Sequence, residues 1–205
     1  MGWIEHVSNK RGSMTQEEMD NNAYMVRDQL LAYGWTIEAI CGVLGNMRAE
    51  SFINPAQTQI GYKIGGTEGG FGLVQWTPQT NYTDWAKNNN HDVNSGFWQV
   101  WCVDTLANVP TQWIPTSAFN MSYTEFKHST LDCETLAEAF FRNYERGTAS
   151  TIPNRKAYAE YYWELFGGQP TPPTPPEPPD PPKPDPRPYK RAGRLPVWMK
   201  IRYNI

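Results

Sequence analysis

The chain has no long apolar runs, no cysteine pairing pattern and no strong excess of charge. Of 205 residues only three are cysteine and three are histidine, 19% are charged, and the formal net charge is −3. No apolar stretch approaches the roughly 20 residues that a membrane-crossing helix needs, so no membrane span is expected. Mild acidity supplies no cationic field for a polyanion, and nucleic-acid binding by the main domain is not expected. Cys41, Cys102 and Cys133 fall at no metal-ligand spacing, and His6, His91 and His128 stand far apart. Neither a metal nor any other cofactor is implied. Cys41 belongs to an apolar helical stripe, where a free thiol acts as a small hydrophobe, while a Cys102–Cys133 bridge stays open. Residues Met1 to His6 lack the charged head and apolar run of a signal peptide. Synthesis in a reducing cytoplasm is the expectation.

Aromatic residues, by contrast, are abundant: 14% of the chain, including nine tryptophans. Such rings fill cores, and a half-exposed minority can stack on the C–H faces of sugars. Residues 1–14 read as an arm or short extended lead-in. Thr15 and Glu18 form a capping-box pair opening a helix with Met19, Ala23, Val26 and Leu30 on one face, closed at Gly34. Thr36 caps a second helix carrying Ile37, Ile40, Cys41 and Leu44. Residues 56–72 hold six glycines and few apolar residues, which predicts turns and a small irregular β-hairpin. Further helices are expected after Trp76-Thr77-Pro78, around Phe97–Leu106, from an Asp132 cap through Tyr144, and from Pro153 to Gly167-Gly168. The expected class is α+β, mainly α, with a domain over 15–167.

Glu50 is the residue with the clearest chemical promise. It lies seven residues after Val43, which at about 100° per residue returns to within roughly 20° of the same direction. That puts a carboxyl on or beside the buried stripe at a helix C-terminus. Burial and the partial negative charge of unpaired carbonyls both resist its ionisation. A carboxyl still protonated near neutral pH is what cleavage of a glycosidic bond requires. A two-carboxylate mechanism needs a second acid about 5–10 Å away, and Glu68, in the glycine-rich segment, is the first candidate by order of parts.

Beyond the domain, 12 of 18 prolines lie between Pro170 and Pro188. Residues 168–188 therefore read as an extended polyproline II linker. Residues 189–205 are too short to fold alone, yet carry Leu195, Val197, Trp198, Met199, Ile201 and Tyr203 among basic residues. They read as a segment that docks on a partner protein. A proline-rich ligand for SH3-type domains is a competing reading.

Gly45-Asn46-Met47, Glu50-Ser51, Ile53-Asn54-Pro55, Phe71-Gly72-Leu73-Val74-Gln75-Trp76-Thr77-Pro78 and Asn143-Tyr144-Glu145-Arg146 follow in that order. Over roughly residues 20–167 this set resembles the lysozyme-like domain of phage tail-tip lysins. It is distantly similar to goose-type lysozymes and soluble lytic transglycosylases. The resemblance implies a lysozyme-like fold with a small β-hairpin element, peptidoglycan as substrate, and Glu50 as catalytic acid. It implies Gln75 as a groove residue and Tyr144 as an aromatic hydroxyl near the acid. Ser51, Trp76 and Glu145 join the expected substrate-binding set, although Arg146 can pair with Glu145. The expected function is a peptidoglycan-degrading glycosidase carried on the virion and acting as infection begins, joined to phage tail proteins through 189–205. Alternatives are a lytic transglycosylase using the same acid, a glycan-binding structural tail protein, and a free endolysin.

Overall fold

The computed structural model describes residues 2–168, which all lie in one unit of the chain, Met1–Pro172. The expected linker beyond Gly168 and the expected docking segment 189–205 lie outside the described residues. Seven α-helices follow in order: α1 (Gln16–Ala32), α2 (Ile37–Ser51), α3 (Thr80–Asn88), α4 (Gly96–Thr105), α5 (Tyr123–Lys127), α6 (Cys133–Phe140) and α7 (Ile152–Leu165).

The helix starts follow local chemistry. Thr15 Oγ1 accepts from Glu18 N while Glu18 caps Thr15 N in return, a reciprocal pair that satisfies two otherwise unbonded donors. Thr36 and Asp132 cap α2 and α6 in the same way from one side only. Pro153 sits in the first turn of α7, where its missing N–H costs nothing.

Helix α2 is the axis of the domain. Ala39, Ile40, Cys41, Val43, Leu44 and Met47 are all fully buried, so the helix is enclosed on nearly every side. It packs most extensively on α7 and α6. Two glycines permit this: a Cβ on Gly45 would stand 2.3 Å from the Arg155 carbonyl oxygen, and one on Gly42 would stand 2.8 Å from the Leu136 carbonyl carbon. Glycine inside a helix costs about 1 kcal/mol, which close backbone approach here offsets. Asn46 locks the three helices together, donating to Gly42 O and Ala137 O and accepting from Arg155 Nη1.

The hairpin expected over 56–72 is not formed. Among the described residues only isolated bridges occur, Thr58 with Phe71, Phe71 with Trp76 and, in parallel sense, Ser8 with Gln57. Gly61, Gly65, Gly69 and Gly72 all take positive φ, which bends the chain before a ladder can extend. Glutamine amides do the stitching instead. Gln75 Nε2 donates to Gln57 O and Gly72 O, Gln59 Oε1 accepts from Gly70 N, and Gln99 bonds Leu73 N, Pro55 O and Val93 O.

The lead-in is extended and tied down. Asn22 bonds both backbone groups of Ile4, Asn54 bonds both of His6, and Thr58 N donates to Ser8 O. All three cysteines are free and buried, so no Cys102–Cys133 bridge is present. Burial pushes the Cys102 and Cys133 thiols up to about 12 and about 11.

Candidate active site

Helix α2 stops at a sharp corner. Phe52 and Ile53 both adopt left-handed backbone (φ 59° and 52°), and their N–H groups return to Arg48 O and Met47 O. The turn satisfies the last carbonyls of the helix and leaves Glu50 in its final turn, at the edge of a groove of about 550 Å³. The same groove is lined by Gln57, Gln59, Gln75 and Trp76 from the stitched loop, and by Glu145, Arg146 and Gly147 from the segment after α6. Arg11 of the lead-in completes one side.

Two carboxyls therefore share one cavity, in different settings. The Glu50 side chain is 23% exposed and its Oε1 accepts from Arg155 Nη2 at 2.5 Å. Arg155 itself is almost fully buried. Its Nη1 donates to Asn46 Oδ1, its Nε donates to Thr151 Oγ1, and its guanidinium lies 4.8 Å from the centre of the Phe141 ring. Glu145 Oε1, by contrast, is sealed from solvent with no hydrogen-bond partner. Burial holds the Glu145 carboxyl well above the usual carboxylate range, and the Glu50 charge pushes it the same way. Arg155 and Arg146 oppose that shift without cancelling it. The raised carboxyl expected at Glu50 is thus found at Glu145, while Glu50 faces a guanidinium.

Glu145 owes its position to a local widening of the helix. After Phe140 the chain makes one π-turn, Phe141–Glu145, closed by Arg146 N donating to Phe141 O at 2.7 Å. The turn sends Tyr144 into the core and leaves Glu145 on the groove. Insertions of this kind recur at functional sites. The expected continuous helix through Tyr144 missed it.

The remaining expected residues fall at three depths. Gln75 and Trp76 line the groove; Gln75 has φ 49°, and its amide nitrogen is engaged by the loop backbone. Trp76 is buried beneath, stacked on Tyr82 at 4.7 Å. Ser51 lies below the lining, where its hydroxyl donates to Met47 O or Leu73 O and so ties the end of α2 to the loop. Tyr144 is also below, stacked on Phe140 at 4.4 Å, its hydroxyl held far above its usual value by burial. Neither the Tyr144 hydroxyl nor Trp76 Nε1 has a hydrogen bond of ordinary geometry, although the indole bears on that hydroxyl. Glu68 is exposed and not part of the groove wall; only its carbonyl is used, by Gln79.

Sequence reasoning overlooked Arg155, Gln57, Gln59, Arg11 and the cationic side of Arg146. One signal existed for Arg155. It shares a helical face with Ile152, Ala159 and Tyr162, all buried, so an arginine stands in a core register. A charge there needs a partner.

Residues 21–166 match the family described as phage tail lysozyme. The chain is also similar to Morphogenesis protein 1 of Bacillus phage B103, 40% identical over 164 residues, covering 78% of this chain and 43% of that protein. It therefore spans less than half the length of that relative. With the family matched across the helices and loop that build the groove, the chain belongs to the phage tail lysozyme family.

Proposed function

We propose that this chain is a peptidoglycan glycosidase that cleaves the glycan strand between amino sugars from the groove holding Glu50 and Glu145. The observation that carries the reading is the placing of two carboxyls in one cavity, one with an oxygen buried and unpartnered, the other bonded to Arg155. Two carboxyls placed in one cleft are the working pattern of glycosidic cleavage. Glu50, the member tied to α2 and partly open to the groove, gives its proton to the leaving oxygen as general acid, and Glu145 is the second carboxyl of the cavity. Once the proton has left, Arg155 holds the resulting carboxylate in place. Gln75 and Trp76 shape the opposite wall, and water completes the hydrolysis. Glu145 thus takes the part first assigned to Glu68.

The family and the phage origin of the relative support action on the wall from a virion. Residues 189–205 anchor the enzyme to tail proteins in this reading, with 168–188 as tether. Muropeptide mass spectrometry tests the chemistry. Glu50→Gln is expected to lower product release by about 10²–10⁴-fold, with reducing ends on the wild-type products. Anhydro ends would replace hydrolysis by transglycosylation, and unchanged lysis by the variant would leave a glycan-binding tail protein. Deleting 169–205 is expected to spare purified activity but strip the protein from particles; normal incorporation would refute the anchor.

A further inference from the structure

Two guanidinium groups line the groove, Arg11 and Arg146, and a third, Arg155, is buried behind Glu50. Arg155 is engaged by Glu50, Asn46 and Thr151. Arg11 and Arg146 line the cavity without an ion pair among the described residues. Arg11 is brought there by the tied lead-in: Ser8 N donates to Ala56 O, and Gln57 Nε2 donates to Lys10 O. Arg146 is held more firmly. Its Nη1 donates to Gln112 O at 2.6 Å and Asn143 O at 2.9 Å, from a left-handed backbone at φ 55°. Those partners are neutral carbonyls, which fix the side chain without cancelling its charge. Arg146 and Gly147 also form the seam with a second cavity of about 230 Å³ bearing Thr116 and Ser117.

A neutral amino-sugar polymer offers these cations nothing to pair with. A strand whose sugars carry carboxylates does, and guanidinium suits that group through parallel N–H donors. We propose that Arg11 and Arg146 form an anion subsite that selects glycan strands bearing carboxylates, on the lactyl group or its peptide stem, over neutral amino-sugar polymers. The inference rests on the glycosidase reading and deepens it by naming the substituent recognised. Both arginines act as specificity residues and touch no reacting atom.

The test measures binding by the full chain carrying Glu50→Gln, so that nothing turns over. Four soluble probes are compared: disaccharide-peptide muropeptide dimers, the same dimers with their carboxyls amidated, a neutral N-acetylglucosamine tetramer, and a glycerol-phosphate oligomer. The carboxylate form is expected to bind at least about tenfold more tightly than the amidated one, the scale of a charge-assisted hydrogen bond. Arg11→Gln or Arg146→Gln should remove most of that difference, leave the tetramer unchanged, and be partly rescued by lysine. High salt should shrink the difference. Equal affinity for the acidic and amidated dimers overturns the proposal. So does equal weakening of the neutral tetramer in both glutamine variants, or preference for the phosphate oligomer over the carboxylate dimers. If the wild type releases no muropeptides while the carboxylate preference persists, the glycosidase reading alone fails; lysis without the preference sinks only the subsite.

Discussion

The two walls of the groove are built on opposite principles. One is helical: the end of α2, the π-turn after α6, and Arg155 of α7 stand on a packed core where backbones meet at Gly42 and Gly45. The other, residues 57–77, has no strand among its residues and is held by isolated bridges and glutamine amides. The helical wall carries both carboxyls of the cavity; the loop wall supplies amides and an indole. A rigid base suits groups whose charge must be set by surroundings, because small displacements alter both burial and pairing.

Four substitutions would break or sharpen that contrast. Gly45→Ala is expected to act most strongly, since its Cβ would meet backbone of α7 on two atoms, Arg155 O and Ala159 N. Overpacking against backbone costs about 3 kcal/mol, so the melting temperature should fall sharply, and activity with it as Arg155 is driven from Glu50. Arg155→Met should follow, at about 2 kcal/mol. Breaking a buried ion pair costs more, but Glu50 keeps some contact with water. Chemical denaturation reads both.

Glu145→Gln should move stability in the other direction. The folded protein binds the Glu145 proton more tightly than the unfolded chain does, whose ordinary value is 4.5. Its stabilising contribution is therefore complete below about that pH and is lost as pH rises through the folded-state value. The glutamine variant should lose this decline, which has a slope of at most about 1.4 kcal/mol per pH unit. It should melt higher than wild type at neutral pH while cleaving glycan more slowly; parallel melting curves across pH would contradict the sealed carboxyl. On the loop wall, Gly61→Ala meets no neighbour and suffers only its φ of 85°, so a loss of about 1 kcal/mol is expected. A loss as large as that of Gly45→Ala would erase the distinction between the walls.

The helical wall was the more legible. Threonine and aspartate caps and the apolar spacing of α2 located Glu50 at a helix end, and the glycine-rich run ahead of Gln75-Trp76 marked the facing wall. What escaped were non-local partners. Nothing near Glu50 in sequence announces Arg155, 105 residues away, and nothing near Glu145 announces that it shares a cavity with Glu50. The hairpin is absent for a local reason: repeated positive-φ glycines make turns and interrupt a ladder.

Short-range chemistry determined where helices begin and end and that the domain is mainly helical, because caps, periodicity and left-handed turns are settled within a few residues. Tertiary packing alone decided the electrostatic identities of the two carboxyls. A charge responds to whatever stands within a few ångströms, and here that company comes from α7 and the π-turn, brought against α2 only when the whole core closes.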